Sequence, residues 1–199
     1  MNLPNKLTVI RILMVPVFFF FALFCFPGTY GEIISRCLAA LVFLAAALTD
    51  LADGKIARKQ GLITDFGKFM DPLADKFLVF SAILAFASSS MYMKDEALHL
   101  ALVIGGAIVI FRELAVTSLR LVVMNSSEPV VIAASWYGKA KTVSQCVWAM
   151  VIMLEPVVFG FLQLPPILSW LATVVMTVLS VLSGIDYVKS YWKYLDTNK

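Results

Sequence analysis

Residues 50–76 read DLADGKIARKQGLITDFGKFMDPLADK, and the segments on either side are apolar. Asp50 and Asp53 stand at i, i+3, and Asp71 and Asp75 at i, i+4, so each pair shares one face if its segment is helical. Gly54 and Ala57 continue the first face, and Gly67 sits one turn before Asp71. Each pair therefore has small residues beside it, where a bulky ligand can approach the backbone. Carboxylates facing one another in a low dielectric repel strongly. Two divalent cations would cancel the charges of Asp50, Asp53, Asp71 and Asp75.

The rest of the 199-residue chain suits a membrane. It is 61% hydrophobic with mean hydropathy +0.89, whereas soluble domains are roughly 45–50% apolar. The pattern predicts one all-α integral membrane domain over residues 1–199, with six transmembrane helices behind a short polar lead-in at 2–11. Helix 1 is expected over Ile12–Phe26, reaching back to about Thr8. No small-residue cleavage site follows it, so it reads as a retained anchor. Helix 2 is expected over Ile33–Ala57. Helix 3 is expected over Phe69–Ser89, with Pro72 in its first turn and Asp71 resembling an N-cap. Helix 4 is placed at Ala97–Met124, helix 5 at Ser135–Phe161 with an interruption near Pro156, and helix 6 from Pro165-Pro166 to Tyr194. His99 falls in a loop beside Lys94-Asp95-Glu96 and reads as a solvated residue, not a ligand. Cys25, Cys37 and Cys146 are scattered and read as buried free thiols.

Charge sets the orientation. Lys6, Arg11, Lys55, Arg58, Lys59, Lys68, Lys76, Arg120, Lys139, Lys141, Lys189, Lys193 and Lys199 collect on one side, and only Arg36 and Lys94 fall on the other. Both termini and the aspartate stretch are then cytoplasmic, in a multi-pass protein of the cell membrane. The net charge of +3 is a topology signal more than a nucleic-acid footprint. Lys55 and Lys59 point away from the Asp50/Asp53 face and suit the interface. Tyr187, Tyr191, Trp192 and Tyr194 read as an interfacial aromatic belt.

Helix caps and loop charges would be the bland account of these aspartates. Capping does not explain Asp50 and Asp53 in the last turns of an apolar helix, where carboxylates are costly and usually functional. All-oxygen ligands favour a hard cation, Mg²⁺ or Mn²⁺, over zinc.

The spacing Asp50, two residues, Asp53-Gly54, two residues, Ala57-Arg58, eight residues, Gly67, three residues, Asp71, three residues, Asp75 resembles the signature of the CDP-alcohol phosphotransferase family. The resemblance implies a membrane-embedded enzyme. It would move a phosphatidyl or phosphoalcohol group from a CDP-linked donor to an acceptor hydroxyl and release CMP. It assigns Asp50, Asp53 and Asp71 as principal metal ligands and Asp75 as the base, with a possible contact to metal as well. Asp50, Gly54, Ala57, Arg58 and Gly67 would line the donor. The family also suggests a homodimer.

Further stretches point to one branch. Pro4-Asn5-Lys6-Leu7-Thr8-Val9-Ile10-Arg11, Phe111-Arg112-Glu113 with Arg120, Gly138-Lys139-Ala140-Lys141-Thr142 and Asp186-Tyr187 are similar to the branch that joins CDP-diacylglycerol to sn-glycerol 3-phosphate. That makes Asn5, Thr8 and Arg11 accessory residues. Ser118 stands where that branch is expected to have Gly. An acceptor carrying its own phosphate needs cations besides the metals. Arg112, Arg120, Lys139 and Lys141 are the candidates, and Arg112 should lie inside the bilayer. Glu113 does not share a face with Arg112 and shares a stripe with Arg120, which it is expected to orient. Lys139 and Lys141, two apart, are expected to point different ways, with one touching the phosphate. Two alternatives remain: another acceptor (inositol phosphate, serine or phosphatidylglycerol), or an ion or proton transporter using the same carboxylates. Gly54, Ala57 and Gly67 count against transport, which needs no small residues framing a nucleotide.

Overall fold

The computed structural model of the chain describes residues 3–24, 26–28, 30–60, 65–92, 94–124, 136–162 and 164–192. Within these helices the side chains of residues 50–60 and 65–69, and of Asp71, Pro72 and Asp75, lie outside the described set. Six α-helices follow one another: α1 Leu3–Leu23, α2 Gly31–Gln60, α3 Asp65–Ser88, α4 Glu96–Met124, α5 Trp136–Phe159 and α6 Ile167–Tyr191. Single 3₁₀ turns occupy Ser90–Tyr92 and Gly160–Leu162, and no strand occurs among the described residues. Stretches of α1, α2, α4, α5 and α6 are long and apolar enough to cross a membrane, and α3 contributes the shorter apolar run Lys76–Ser88.

The distribution of side chains is that of a bundle in lipid. Leu13, Leu41, Phe111 and Leu171 point outward, while Arg11, Arg36, Arg112, Glu113, Lys141 and Glu155 are buried. Charged groups in the hydrocarbon region face the interior and find partners there, and apolar side chains face the lipid. Phe18, Phe43, Phe86, Trp148, Met153 and Met176 form the apolar core, with Phe86 edge-on to Trp148 at 5.2 Å between centroids.

α1 packs on α2 and α3, α4 on α3 and α6, and α5 on α2 and α6. Gly105 and Gly106 permit the α4 contacts: a Cβ on Gly106 would run into Ile83 of α3, and one on Gly105 into Thr177 of α6. Small residues at such crossings let helices approach closely in lipid. The start of α6 is capped from another helix. The Glu155 carboxylate of α5 accepts the backbone N–H groups of Leu168 (2.9 Å) and Ser169 (2.7 Å), and the Ser169 hydroxyl. It satisfies donors that every helix N-terminus leaves open.

Five local expectations are corrected. Neither described thiol is fully buried: Cys37 is exposed on the outward face of α2, one turn before Leu41, and Cys146 is half-buried. The expected lead-in is helical, because Pro4 falls in the first turn of α1, where a missing N–H costs nothing. α3 starts at Asp65, so Pro72 lies in its interior and Asp71 is not an N-cap. α5 continues through Pro156, as α1 does through Pro16; neighbouring helices in a membrane bundle compensate for such breaks. His99 belongs to α4, because the Asp95 side chain accepts the Leu98 N–H at 3.0 Å and caps the helix before it.

Candidate active site

Asp50, Asp53, Gly54, Ala57 and Arg58 lie on the second half of α2, and Gly67, Asp71 and Asp75 on the first half of α3. The backbone is helical through both stretches, so Asp50 and Asp53 share a face of α2, and Asp71 and Asp75 a face of α3. Their side chains lie outside the described residues, among which no group of three or more His, Cys, Asp or Glu comes together. The donor chemistry of the set, oxygen only on two helix faces, fits hard divalent cations.

One residue beyond Asp75, Lys76 opens onto a cavity of about 560 Å³ between α3, α4, α5 and α6. Lys76 donates to the Thr117 hydroxyl, which donates to the Glu113 carbonyl at 2.7 Å. Arg112 is buried on the wall. Its Nη1 donates to Glu113 Oε1 at 3.2 Å, its Nη2 donates to the Ser183 hydroxyl, and its Nε has no partner among the described residues. Gly184 of α6 lets this arginine lie close, since a Cβ there would sit 3.2 Å from Arg112 Cγ. Buried Lys141 of α5 donates to the same Glu113 oxygen. Arg120 donates from Nη2 to the Tyr187 hydroxyl at 2.7 Å, and the Tyr187 ring lies 5.5 Å from the Arg112 guanidinium and 5.2 Å from that of Arg120. Lys139 lines the cavity from an exposed position, and Gln145 closes part of the wall from a buried one. Among the described residues, Lys76, Arg112, Arg120, Lys139 and Lys141 thus face a single lining carboxylate, Glu113. Such an excess of fixed cations in a half-enclosed space attracts an anion and desolvates it.

The chain matches the profile of the CDP-alcohol phosphatidyltransferase family over residues 1–182. The chain belongs to the CDP-alcohol phosphatidyltransferase family. Curated relatives agree along nearly its full length. A Bacillus subtilis protein named CDP-diacylglycerol–glycerol-3-phosphate 3-phosphatidyltransferase is 36% identical over 203 aligned positions, covering 99% of this chain and 98% of that one. A Mycobacterium tuberculosis protein named probable phosphatidylglycerophosphate synthase is 38% identical over 187 positions, covering 94% of this chain and 80% of the relative. An Escherichia coli protein with the same name as the Bacillus one is 37% identical over 147 positions, 73% of each chain.

Within this CDP-alcohol phosphatidyltransferase bundle, Arg112, Arg120, Lys139 and Lys141 share one cavity although they come from two helices. Three details differ from the sequence reading. Glu113 pairs with Arg112 and Lys141 instead of orienting Arg120, because their long side chains reach round the helix to a carboxylate that faces α5. Lys139 and Lys141 both line the cavity, Lys141 buried and Lys139 exposed, since a lysine stem is long enough to overcome their angular offset. Tyr187 is not a belt residue: it is 3% exposed and carries both arginines. The stripe Ser180, Ser183, Gly184, Tyr187 at i, i+3, i+4, i+7 was the available signal for an inward face of α6. Lys76, Thr117 and Gln145 were not singled out from sequence as site residues, and nothing local distinguishes them. Asn5, Thr8 and Arg11 form one buried stripe of α1, the helix that packs on both aspartate-bearing helices.

Proposed function

We propose that this protein transfers the phosphatidyl group of CDP-diacylglycerol to sn-glycerol 3-phosphate, giving phosphatidylglycerophosphate and CMP. The observation that carries the reading is the cationic cavity that begins one residue past Asp75. The full-length relatives named for the same reaction support it. The acceptor phosphate sits among Arg112, Arg120, Lys139 and Lys141, whose charges replace the water it gives up. CDP-diacylglycerol enters from the lipid and lies along the small residues Gly54, Ala57 and Gly67, with Arg58 on a donor phosphate. Asp50, Asp53, Asp71 and Asp75 would hold two divalent cations, Mg²⁺ or Mn²⁺, which would supply electrophilic stabilisation of the donor pyrophosphate. Asp75 takes the proton of the acceptor hydroxyl as that oxygen bonds to the phosphorus bearing diacylglycerol. The bond from that phosphorus to the CMP oxygen breaks, and CMP departs. α1 braces both aspartate helices through Asn5, Thr8 and Arg11.

The whole chain is read as one membrane domain with α3 as a sixth span. Both termini and the site face the cytoplasm, in the cytoplasmic membrane, and the protein is a homodimer. The asymmetry of Lys and Arg supports this orientation.

CMP release by purified protein from CDP-diacylglycerol tests the reading. Glycerol 3-phosphate, inositol phosphate, serine and phosphatidylglycerol are offered in turn, with and without chelator. Release with glycerol 3-phosphate alone, abolished by chelator and restored by Mg²⁺ or Mn²⁺, is expected. Release with another acceptor in its place overturns the acceptor, and no release with any returns the transporter. Asp50→Asn, Asp53→Asn and Asp71→Asn should each lower turnover about a thousandfold or more. Asp75→Asn should keep donor binding and lower turnover roughly a hundredfold or more.

A further inference from the structure

We propose that Gln145 reads the middle hydroxyl of the acceptor, and so selects a glycerol phosphate over an alcohol phosphate that lacks it. This inference rests on the acceptor assigned above. Gln145 lies on the cavity wall one turn along α5 from Lys141, on the side away from the cationic mouth marked by Lys139. It is 3% exposed, and its amide nitrogen has no partner among the described residues. Folded chains seldom leave a buried amide donor unpaired unless a ligand or water completes it.

Charge decides which part of the ligand completes it. The phosphate has Arg112, Arg120, Lys139 and Lys141 to meet it, and a neutral amide adds little to that set. The terminal hydroxyl must turn toward α3 and Asp75 to react. The middle hydroxyl takes no part in bond making, yet it loses water on entering the cavity. On α3, Val79 and Phe80 at the next turn past Lys76 are apolar and offer it nothing. A carboxamide presents both a donor and an acceptor and so matches a hydroxyl, which is also both. Sites that hydrogen-bond a substrate hydroxyl discriminate strongly against the analogue without it, because the buried partner is then left unpaired.

Hydroxypropyl phosphate is the probe, since it keeps the phosphate and the terminal hydroxyl and lacks the middle one. The kcat/KM ratio of glycerol 3-phosphate to hydroxypropyl phosphate is measured for the unmodified protein, Gln145→Leu and Gln145→Asn. The unmodified protein should favour glycerol 3-phosphate. In both variants the ratio should fall about tenfold, with the KM for CDP-diacylglycerol and the turnover of hydroxypropyl phosphate unchanged. Turnover of hydroxypropyl phosphate also reports that a variant is folded, and the Asn variant decides if the Leu variant is not. An unchanged ratio overturns the proposal, whether both acceptors fall together or neither does. A ratio near unity in the unmodified protein overturns it too. If the unmodified protein uses no glycerol 3-phosphate, the acceptor assignment itself fails, a different result from an unchanged ratio.

Discussion

Two buried arginines sit toward opposite ends of the bundle, and their surroundings differ in one respect. Arg36 of α2 uses all three of its guanidinium nitrogens on its own chain. Nε donates to Glu32 at 3.0 Å, Nη1 to the Ile152 carbonyl at 3.2 Å, and Nη2 to the Met91 carbonyl. Its face lies over the Tyr92 ring at 4.5 Å, and burial pushes the Tyr92 phenol up to about 12, so the ring stays neutral. Lys94 closes the cluster on Glu32 at 2.7 Å. Arg112 of α4 instead leaves Nε without a partner among the described residues and stands among further cations around a cavity. A buried arginine whose donors all meet protein groups ties elements together, here α2, α5 and the turn after α3. One with a free donor and a surplus of like charge is prepared for an anion that arrives later.

If that contrast is right, the two arginines fail in different ways. Arg36→Leu strands two buried carbonyls, leaves Glu32 with Lys94 alone, and should lower folding stability by roughly 2–5 kcal/mol. Thermal unfolding in detergent would show the loss, and whatever protein remains folded should keep the unmodified KM for both substrates. Arg112→Ala should lower stability less and raise the KM for glycerol 3-phosphate ten- to a hundredfold, for a charge-assisted bond of about 1.5–3 kcal/mol. Steady-state kinetics with each substrate varied in turn would check it; equal effects on donor and acceptor would make Arg112 a second staple and erase the contrast. Tyr187→Phe removes the hydroxyl that holds Arg120 but leaves the ring beneath both guanidiniums. A severalfold rise in the acceptor KM is expected, for a bond of about 1 kcal/mol. Lys94→Ala should have the smallest effect. Its side chain is 70% exposed, and the Glu32 pair should contribute no more than about 1 kcal/mol. A marked change in acceptor kinetics on Lys94→Ala would show that the Arg36 cluster is not merely structural.

The sequence by itself determined what depends on spacing and composition. The intervals among Asp50, Asp53, Asp71 and Asp75 fix which of them share a helix face, whatever the bundle does. An apolar excess over the whole chain fixes a helical membrane protein, because lipid offers the backbone no other partners. Arg112 was conspicuous for the same reason, being a charge in an apolar run. Helix ends were less legible: residues 2–11 read as a short polar lead-in, whereas they are helical and Asn5, Thr8 and Arg11 form a buried stripe of α1. Only the tertiary structure decided who meets whom. Glu113 turns to Lys141 and Arg112, Arg36 reaches carbonyls of two distant segments, and Tyr187 slides beneath two arginines of another helix. Apart from the Arg112–Glu113 pair, each of these contacts joins elements far apart in sequence. Which face of one helix meets which face of another is set by close packing at positions such as Gly106 and Gly184, and that is a property of the pair of helices, not of either alone.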